Sequence, residues 1–301
     1  KFATDEQKKA WEMLVKDELR STDTWEARLS SGEEKAKVWR DLILEEKIGY
    51  MALLRNLRNL EQQADEITRD KAGAMICDEA LVRKSKQLPF RFYNAYKNVK
   101  DRYFLDSIAK ALDISVANVP EMKGKTLIGI DVSGSMSGDC IEKASVLAAA
   151  LIKKQNCDVI LYDTSVRQVS FNSIDSVITN AKKIQSLATG GGTETSLVFY
   201  YASKTGVKYE RIIILSDNES WAESWRGCGV QEYYNKYRLE NDCYVYAIDI
   251  QGYGTKDIKS EKVEHLCGFS ERIFDFIAVK ERGIKSLIEY VEDYMGGGEE
   301  E

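Results

Sequence analysis

The sequence predicts an α/β protein: an N-terminal α-helical, HEAT-like segment followed by a doubly wound, mostly parallel sheet. Over residues 1–122 apolar side chains recur at helical spacing, without the period-two alternation of a strand. From residue 126 onward, apolar runs too short for helices alternate with longer helical patterns, as strand–helix–strand units do. At the ends of three of those runs stand oxygen-bearing side chains and glycines, where open α/β sheets hold their ligands.

In the helical half, Trp11, Leu14, Val15 and Leu19, then Trp39, Leu42 and Ile43, then Met51, Leu54 and Leu57 mark successive helices. Ser21 to Asp23, Ser30 to Gly32, and Gly49 punctuate them. Paired helices that bury one another's faces suggest an α-solenoid fragment, although no fixed-period repeat is visible. From Leu81 to Lys100 the chain carries Arg83, Lys84, Lys86, Arg91, Lys97 and Lys100 with no acidic residue among them. Phe90, Phe92, Tyr93 and Tyr96 interleave, and Arg55 and Arg58 fall in a second acid-free stretch. Basic groups among aromatics grip phosphate and stack on unpaired bases. Arg55, Arg58, Arg83, Lys84, Lys86 and Arg91 are therefore candidates for RNA phosphates, with Phe90 and Tyr93 as stacking surfaces. The same pattern also fits helices whose rings turn inward and whose cations are solvated.

Pro120 and Gly124 mark a boundary, giving a helical part at residues 1–122, a sheet domain at 123–295 and a flexible acidic tail at 296–301. Strands are expected near 126–131, 157–162, 165–171, 211–216, 243–249 and 272–276, and helices near 139–154, 173–185, 195–204, 229–240 and 280–294. The second and third strands are too close for a crossover helix, so they form an antiparallel hairpin at one edge, turning at Asp163-Thr164-Ser165.

Lys125-Thr126-Leu127-Ile128 leads into Asp131-Val132-Ser133-Gly134-Ser135, and Asp139 with Glu142 reads as a capping box opening the next helix. Ala188-Thr189-Gly190-Gly191-Gly192-Thr193 is a turn in which glycine allows close backbone approach. Arg211 to Asp217 is a buried strand ending in a carboxylate. Asp131, Ser133, Ser135, Thr193 and Asp217 thus offer oxygens alone, the donors that Mg²⁺ or another hard divalent cation prefers. A polar strand-end turn without metal is the competing reading.

Asp131-x-Ser133-x-Ser135, Thr193 and Asp217, in that order, resemble the metal-ion-dependent adhesion site (MIDAS) of von Willebrand factor type A domains. The resemblance implies that Ser133, Ser135 and Thr193 touch the metal and that Asp131 and Asp217 act mainly through water. Met51-Ala52-Leu53-Leu54-Arg55-Asn56-Leu57-Arg58, preceded by Trp39, resembles a segment of the TROVE module of the Ro ribonucleoprotein family. Leu81 to Asn94 resembles the segment that follows it. Ser216-Asp217-Asn218-Glu219-Ser220 and Cys267-Gly268-Phe269 resemble the Ro form of the type A domain. This implies a noncatalytic protein binding small noncoding or misfolded RNA through basic helical repeats. In that family the repeats close into a ring joined by the type A domain. Residues 1–122 are too few for a ring, so the chain reads as the C-terminal part of a longer protein or as a minimal version.

The alternative is a metal-dependent protein-interaction module or structural component of a larger assembly, in which a partner's Asp or Glu completes the metal's coordination. Trp221 and Trp225 are candidates for the rim of such a site, although such tryptophans more often pack under the loop. Catalysis is disfavoured. Ser133 stands where aspartyl-phosphate phosphatases need a second Asp, no Gly-Lys-Ser/Thr loop is present, and His265 is the only histidine.

The length suits about two domains of roughly 150 residues. A net charge of −6 argues against blanket nucleic-acid binding but not against a local patch. No apolar run approaches the roughly 20 residues of a membrane span. Six cysteines without a Cys-x-x-Cys pair fit free thiols in a reducing, cytoplasmic setting.

Overall fold

Aspartates cap three of the helices in the first half. In the computed structural model, which describes residues 4–16, 25–30, 32–218, 229–268, 270, 272–283 and 288, eight helices precede the first strand. They are α1 (Asp5–Val15), α2 (Trp25–Ser30), α3 (Lys35–Leu44), α4 (Tyr50–Gln63), α5 (Glu66–Ile76), α6 (Glu79–Ser85), α7 (Pro89–Asn98) and α8 (Arg102–Ser115). Asp65, Asp78 and Asp101 accept from the amides of Thr68, Leu81 and Tyr103, each at 2.8 Å, satisfying donors that the first turn leaves unpaired. Pro89 opens α7, where its missing N–H costs nothing. Trp39, Ile43, Leu53, Leu57, Phe92 and Phe104 are fully buried between these helices. Trp11, Leu14 and Val15, which share the helical spacing, lie exposed on α1.

The second half holds β1 (Thr126–Asp131), α9 (Asp139–Lys154), β2 (Cys157–Tyr162), β3 (Val166–Gln168), α10 (Val177–Ser186), α11 (Ser196–Thr205), β4 (Arg211–Ser216), α12 (Val230–Glu240), β5 (Tyr244–Asp249), β6 (Val263–Cys267) and α13 (Arg272–Arg282). The strand order is β3-β2-β1-β4-β5-β6. Every pair is parallel except β2–β3, the expected edge hairpin. Alternation sends Leu127 to one face, against α11 and α12, and Ile128 and Ile130 to the other, against α9 and α13. A sheet covered on both faces is a doubly wound architecture.

Three expectations are corrected. The segment expected as a strand at 272–276 is the start of α13. Ile273, Phe274, Ile277 and Ala278 are buried at helical spacing, and the last strand is Val263–Cys267 instead. The third strand is shorter than 165–171. The capping box is absent: Gly138, at φ +77°, takes the cap position, so Asp139 is already helical and pairs with Lys143 at 2.6 Å. The helix expected at 280–294 falls mostly outside the described residues, as do the 296–301 tail, Leu19, Trp221, Trp225 and Cys228. Cys77, Cys140, Cys157, Cys243 and Cys267 form no disulfide.

The two halves share one core. Val146 and Ala149 of α9 and Val177, Ile178 and Ala181 of α10 belong to the same buried cluster as Trp39, Phe92 and Phe104. Polar contacts line this seam. Lys97 of α7 pairs with Glu142 and lies 3.7 Å from Asp139, and Asp113 of α8 accepts from the Val177 amide at 2.8 Å.

Candidate metal centre and basic cleft

β1 ends at Asp131, which is fully buried. One carboxylate oxygen accepts from the Ser133 amide at 2.9 Å and the other from Ser216 Oγ, at the end of β4, at 2.8 Å. The first bond curls the chain so that the Ser133 and Ser135 hydroxyls lie 3.2 Å apart, with Ser133 buried and Ser135 exposed. The glycine-rich loop is laced to this turn: the Gly190 amide donates to Val132 O at 3.0 Å, and the Gly134 amide to Gly191 O at 2.8 Å. A Cβ at Gly134 would stand 3.2 Å from Gly190 O, so a side chain there would press the two loops apart.

Thr193, at the far end of the glycine loop, is buried, and Asp217 follows Ser216 and is also buried. The three loops carrying Asp131, Ser133, Ser135, Thr193 and Asp217 therefore meet at the carboxyl edge of β1 and β4. Asp131 has no Lys or Arg partner among the described residues. Burial pushes its carboxyl up to about 6 against the opposing hydrogen bonds from Ser133 and Ser216, and the charge of Asp217 adds to the rise. A buried carboxylate beside a second one, among hydroxyls, is a setting that a small cation relieves. Among the described residues no three His, Cys, Asp or Glu side chains gather as metal ligands.

Sequence reasoning missed two supports. Ser216 opens the motif that runs to Ser220, but its own role is visible only here: its hydroxyl holds Asp131 and accepts from the Asn218 amide at 3.0 Å. Asp163 is at the hairpin turn, as expected, and also reaches across to the Thr189 hydroxyl of the glycine loop. Burial alone would push the Asp163 carboxyl up, but Thr189 and the amide and hydroxyl of Ser165 outweigh it and hold the group below the usual range. His265 lies on β6 with Nε2 2.7 Å from Ile258 O, a contact that ties down a loop.

The basic candidates separate into two groups. Arg55 and Arg58 on α4 meet Arg91 on α7 around a cleft of about 350 Å³, with Leu54, Leu57 and Val99 beneath. Arg83, Lys84 and Lys86 lie exposed on and just after α6 and do not line this cleft; Arg83 pairs with Glu79 at 2.8 Å. Tyr93 is buried in the helical core, so its ring is not a stacking surface, and Phe90 packs half-buried against the same core. Both turn inward because α7 needs that face to pack on its neighbours.

Residues 14–125 match the family model of the TROVE domain, and residues 125–279 that of the Ro60 vWA domain. Telomerase protein component 1 of Mus musculus is 39% identical over 82 residues, covering 27% of this chain and 3% of that protein. Its Rattus norvegicus counterpart is 37% identical over 82 residues, with the same coverage of 27% and 3%. The chain thus matches only a small part of these curated relatives. The crystal structure of the Ro (RSR) protein of Deinococcus radiodurans superposes with a TM-score of 0.67 at 16% identity, covering 90% of this chain and 66% of that one. At that identity the likeness is one of fold, and it spans both halves. With more than half its length matched by one model and most of the remainder by the other, the chain belongs to the Ro60 vWA family, its sheet domain preceded by a TROVE domain.

Proposed function

We propose that this chain is a noncatalytic RNA-binding protein of Ro ribonucleoprotein type, taking small noncoding or misfolded RNA through its helical half. The observation that carries this reading is the meeting of Arg55, Arg58 and Arg91 around one cleft. Cations gathered from two helices offer phosphates a local positive site despite the net charge of −6. In this reading the work divides near residue 122, with RNA on the 1–122 side, the metal site in 123–295, and 296–301 as an acidic tail. Among the described residues no helix is long and apolar enough to cross a membrane, which is compatible with a cytoplasmic protein. The test is fluorescence anisotropy of single-stranded and stem-loop RNA across a salt series. Affinity should fall linearly on logarithmic axes, with a slope of roughly 0.7–0.9 for each phosphate neutralised. Absence of binding to either RNA at low salt overturns the reading.

A second reading is favoured by the oxygen cluster. Mg²⁺ or another divalent cation would be held by Asp131, Ser133, Ser135, Thr193 and Asp217. When bound, it would supply a positive centre for an Asp or Glu of a protein partner. The fit rests on the donor chemistry and on the buried Asp131 carboxylate, which lacks a cationic side chain among the described residues. The curated relatives are named as a component of telomerase, which suits a role within a larger assembly. Partner binding unaffected by EDTA and by Ser133→Ala would exclude this reading.

A further inference from the structure

The cleft between α4 and α7 is more than a ring of cations. The geometry points to a pocket for one unpaired RNA nucleotide, whose base edge is read by the side-chain amides of Asn94 and Asn98. This deepens the RNA-binding reading above and rests on it.

Three features single the pocket out. Its volume of about 350 Å³ lies at the lower end of small-ligand pockets, suited to one nucleotide and too small for a duplex. Its floor is apolar: Leu54, Leu57 and Val99 are each less than a tenth exposed, giving a flat base an aliphatic surface to lie on. Its rim is divided by chemistry. Arg55 and Arg58 sit one turn apart on α4, exposed, and neither has an ion-pair partner among the described residues. Across the cleft, Arg91, Asn94 and Asn98 follow one another along α7 at steps of three and four, and so share a face.

An arginine fork suits phosphate, whereas an asparagine amide presents a donor and an acceptor side by side and suits a base edge. The Asn98 amide donates one of its hydrogens to Asn94 O at 2.7 Å, which fixes its direction and leaves its carbonyl oxygen for a ligand. Glu61, the acidic residue nearest in sequence to Arg58, accepts from the amides of Lys100 and Asp101, so its carboxylate is engaged at the lead-in to α8. Watson–Crick edges are exposed only where RNA is unpaired, so a loop, bulge or end is the substrate.

The test compares oligo(U), oligo(A) and oligo(C) binding to the full chain and to Asn94→Ala/Asn98→Ala, by anisotropy at one salt concentration. The native chain should prefer one homopolymer by about fivefold, what one net hydrogen bond supplies. The double variant should lose the preference and keep the salt slope. Equal affinity for all three homopolymers, or a preference that survives the double substitution, overturns base reading while leaving RNA binding intact. Photocrosslinking of a 4-thiouridine oligonucleotide supplies a measurement independent of the variants. Crosslinks should fall on peptides of α4 and α7, and crosslinks confined elsewhere overturn the pocket.

Discussion

Ser216 Oγ donates to Asp131 Oδ2 at 2.8 Å, joining the ends of β4 and β1 through two fully buried side chains. Because strands side by side in a parallel sheet end at the same edge, this bond sets where the first and last loops of the site begin. Ser216→Ala removes the donor and also the acceptor of the Asn218 amide. Leaving those groups buried and unmatched should cost about 1–3 kcal/mol, read from the urea midpoint. A midpoint equal to that of the native chain would mean that the hydroxyl does not hold Asp131.

Divalent metal should stabilise the fold. At about a hundredfold excess over Kd, Mg²⁺ should add about 2.7 kcal/mol, and EDTA should reverse the gain. Asp131→Asn keeps an oxygen for the Ser133 amide but removes the charge, so its melting temperature should be indifferent to Mg²⁺. Equal stabilisation of the two proteins would place the metal elsewhere.

Asp163 should leave a mark on acid stability. Its pKa is lowered in the folded state, so the unfolded chain binds the extra proton in the titration window. The resulting stability is present above the unfolded carboxylate pKa of about 3.9 and is lost as pH falls through the lower folded value. The gap between native chain and Asp163→Asn should therefore be widest near neutrality and close in acid. Hydrogen exchange at Gly190 and Gly191 should quicken in the variant, because the Thr189 tether weakens. A gap constant with pH would assign the effect to shape rather than charge.

Arg211 is fully buried at the start of β4, where Nε and Nη2 each donate to Glu281 of α13 at 2.7 Å. It also donates to Thr126 Oγ1 at 2.7 Å and to Lys123 O, binding the first strand and its lead-in to the last described helix. Glu281→Ala strands a buried guanidinium and should cost about 3–5 kcal/mol. Replacing both partners, Arg211→Met with Glu281→Leu, should cost much less. Equal costs would indicate that packing, not charge, dominates there.

What could be read from the sequence follows from how each element is buried. β1, β2, β4 and β5 are interior strands covered on both faces, so they appear as unbroken apolar runs. β6 is an edge strand whose Glu264 and His265 interrupt that signal, and the denser Ile273-Phe274-x-Phe276-Ile277 run drew the assignment away from it. The loops that meet at the carboxyl edge of β1 and β4 were legible because Asp131, Ser133 and Ser135 are packed into five residues and Asp217 ends a strand run, although the glycine loop follows α10 rather than a strand. The bonds that Ser216 and Asp163 make were not, because a strand-end serine and a turn aspartate acquire these roles only when another loop comes within reach. The basic residues were legible as a class but not as a surface. Arg91 meets Arg55 and Arg58 from a helix more than thirty positions away, while Arg83, close to it in sequence, lies on a separate helix.

The cluster that unites Phe92 and Phe104 with Ala149 and Ile178 bears on how this molecule can be taken apart. Cutting near residue 122 would leave each fragment with an oily scar facing water, and α7, which holds Arg91, would lose its backing. Truncation should yield aggregates rather than two working modules, and sedimentation of the separated pieces would reveal it. The two halves should unfold in a single transition.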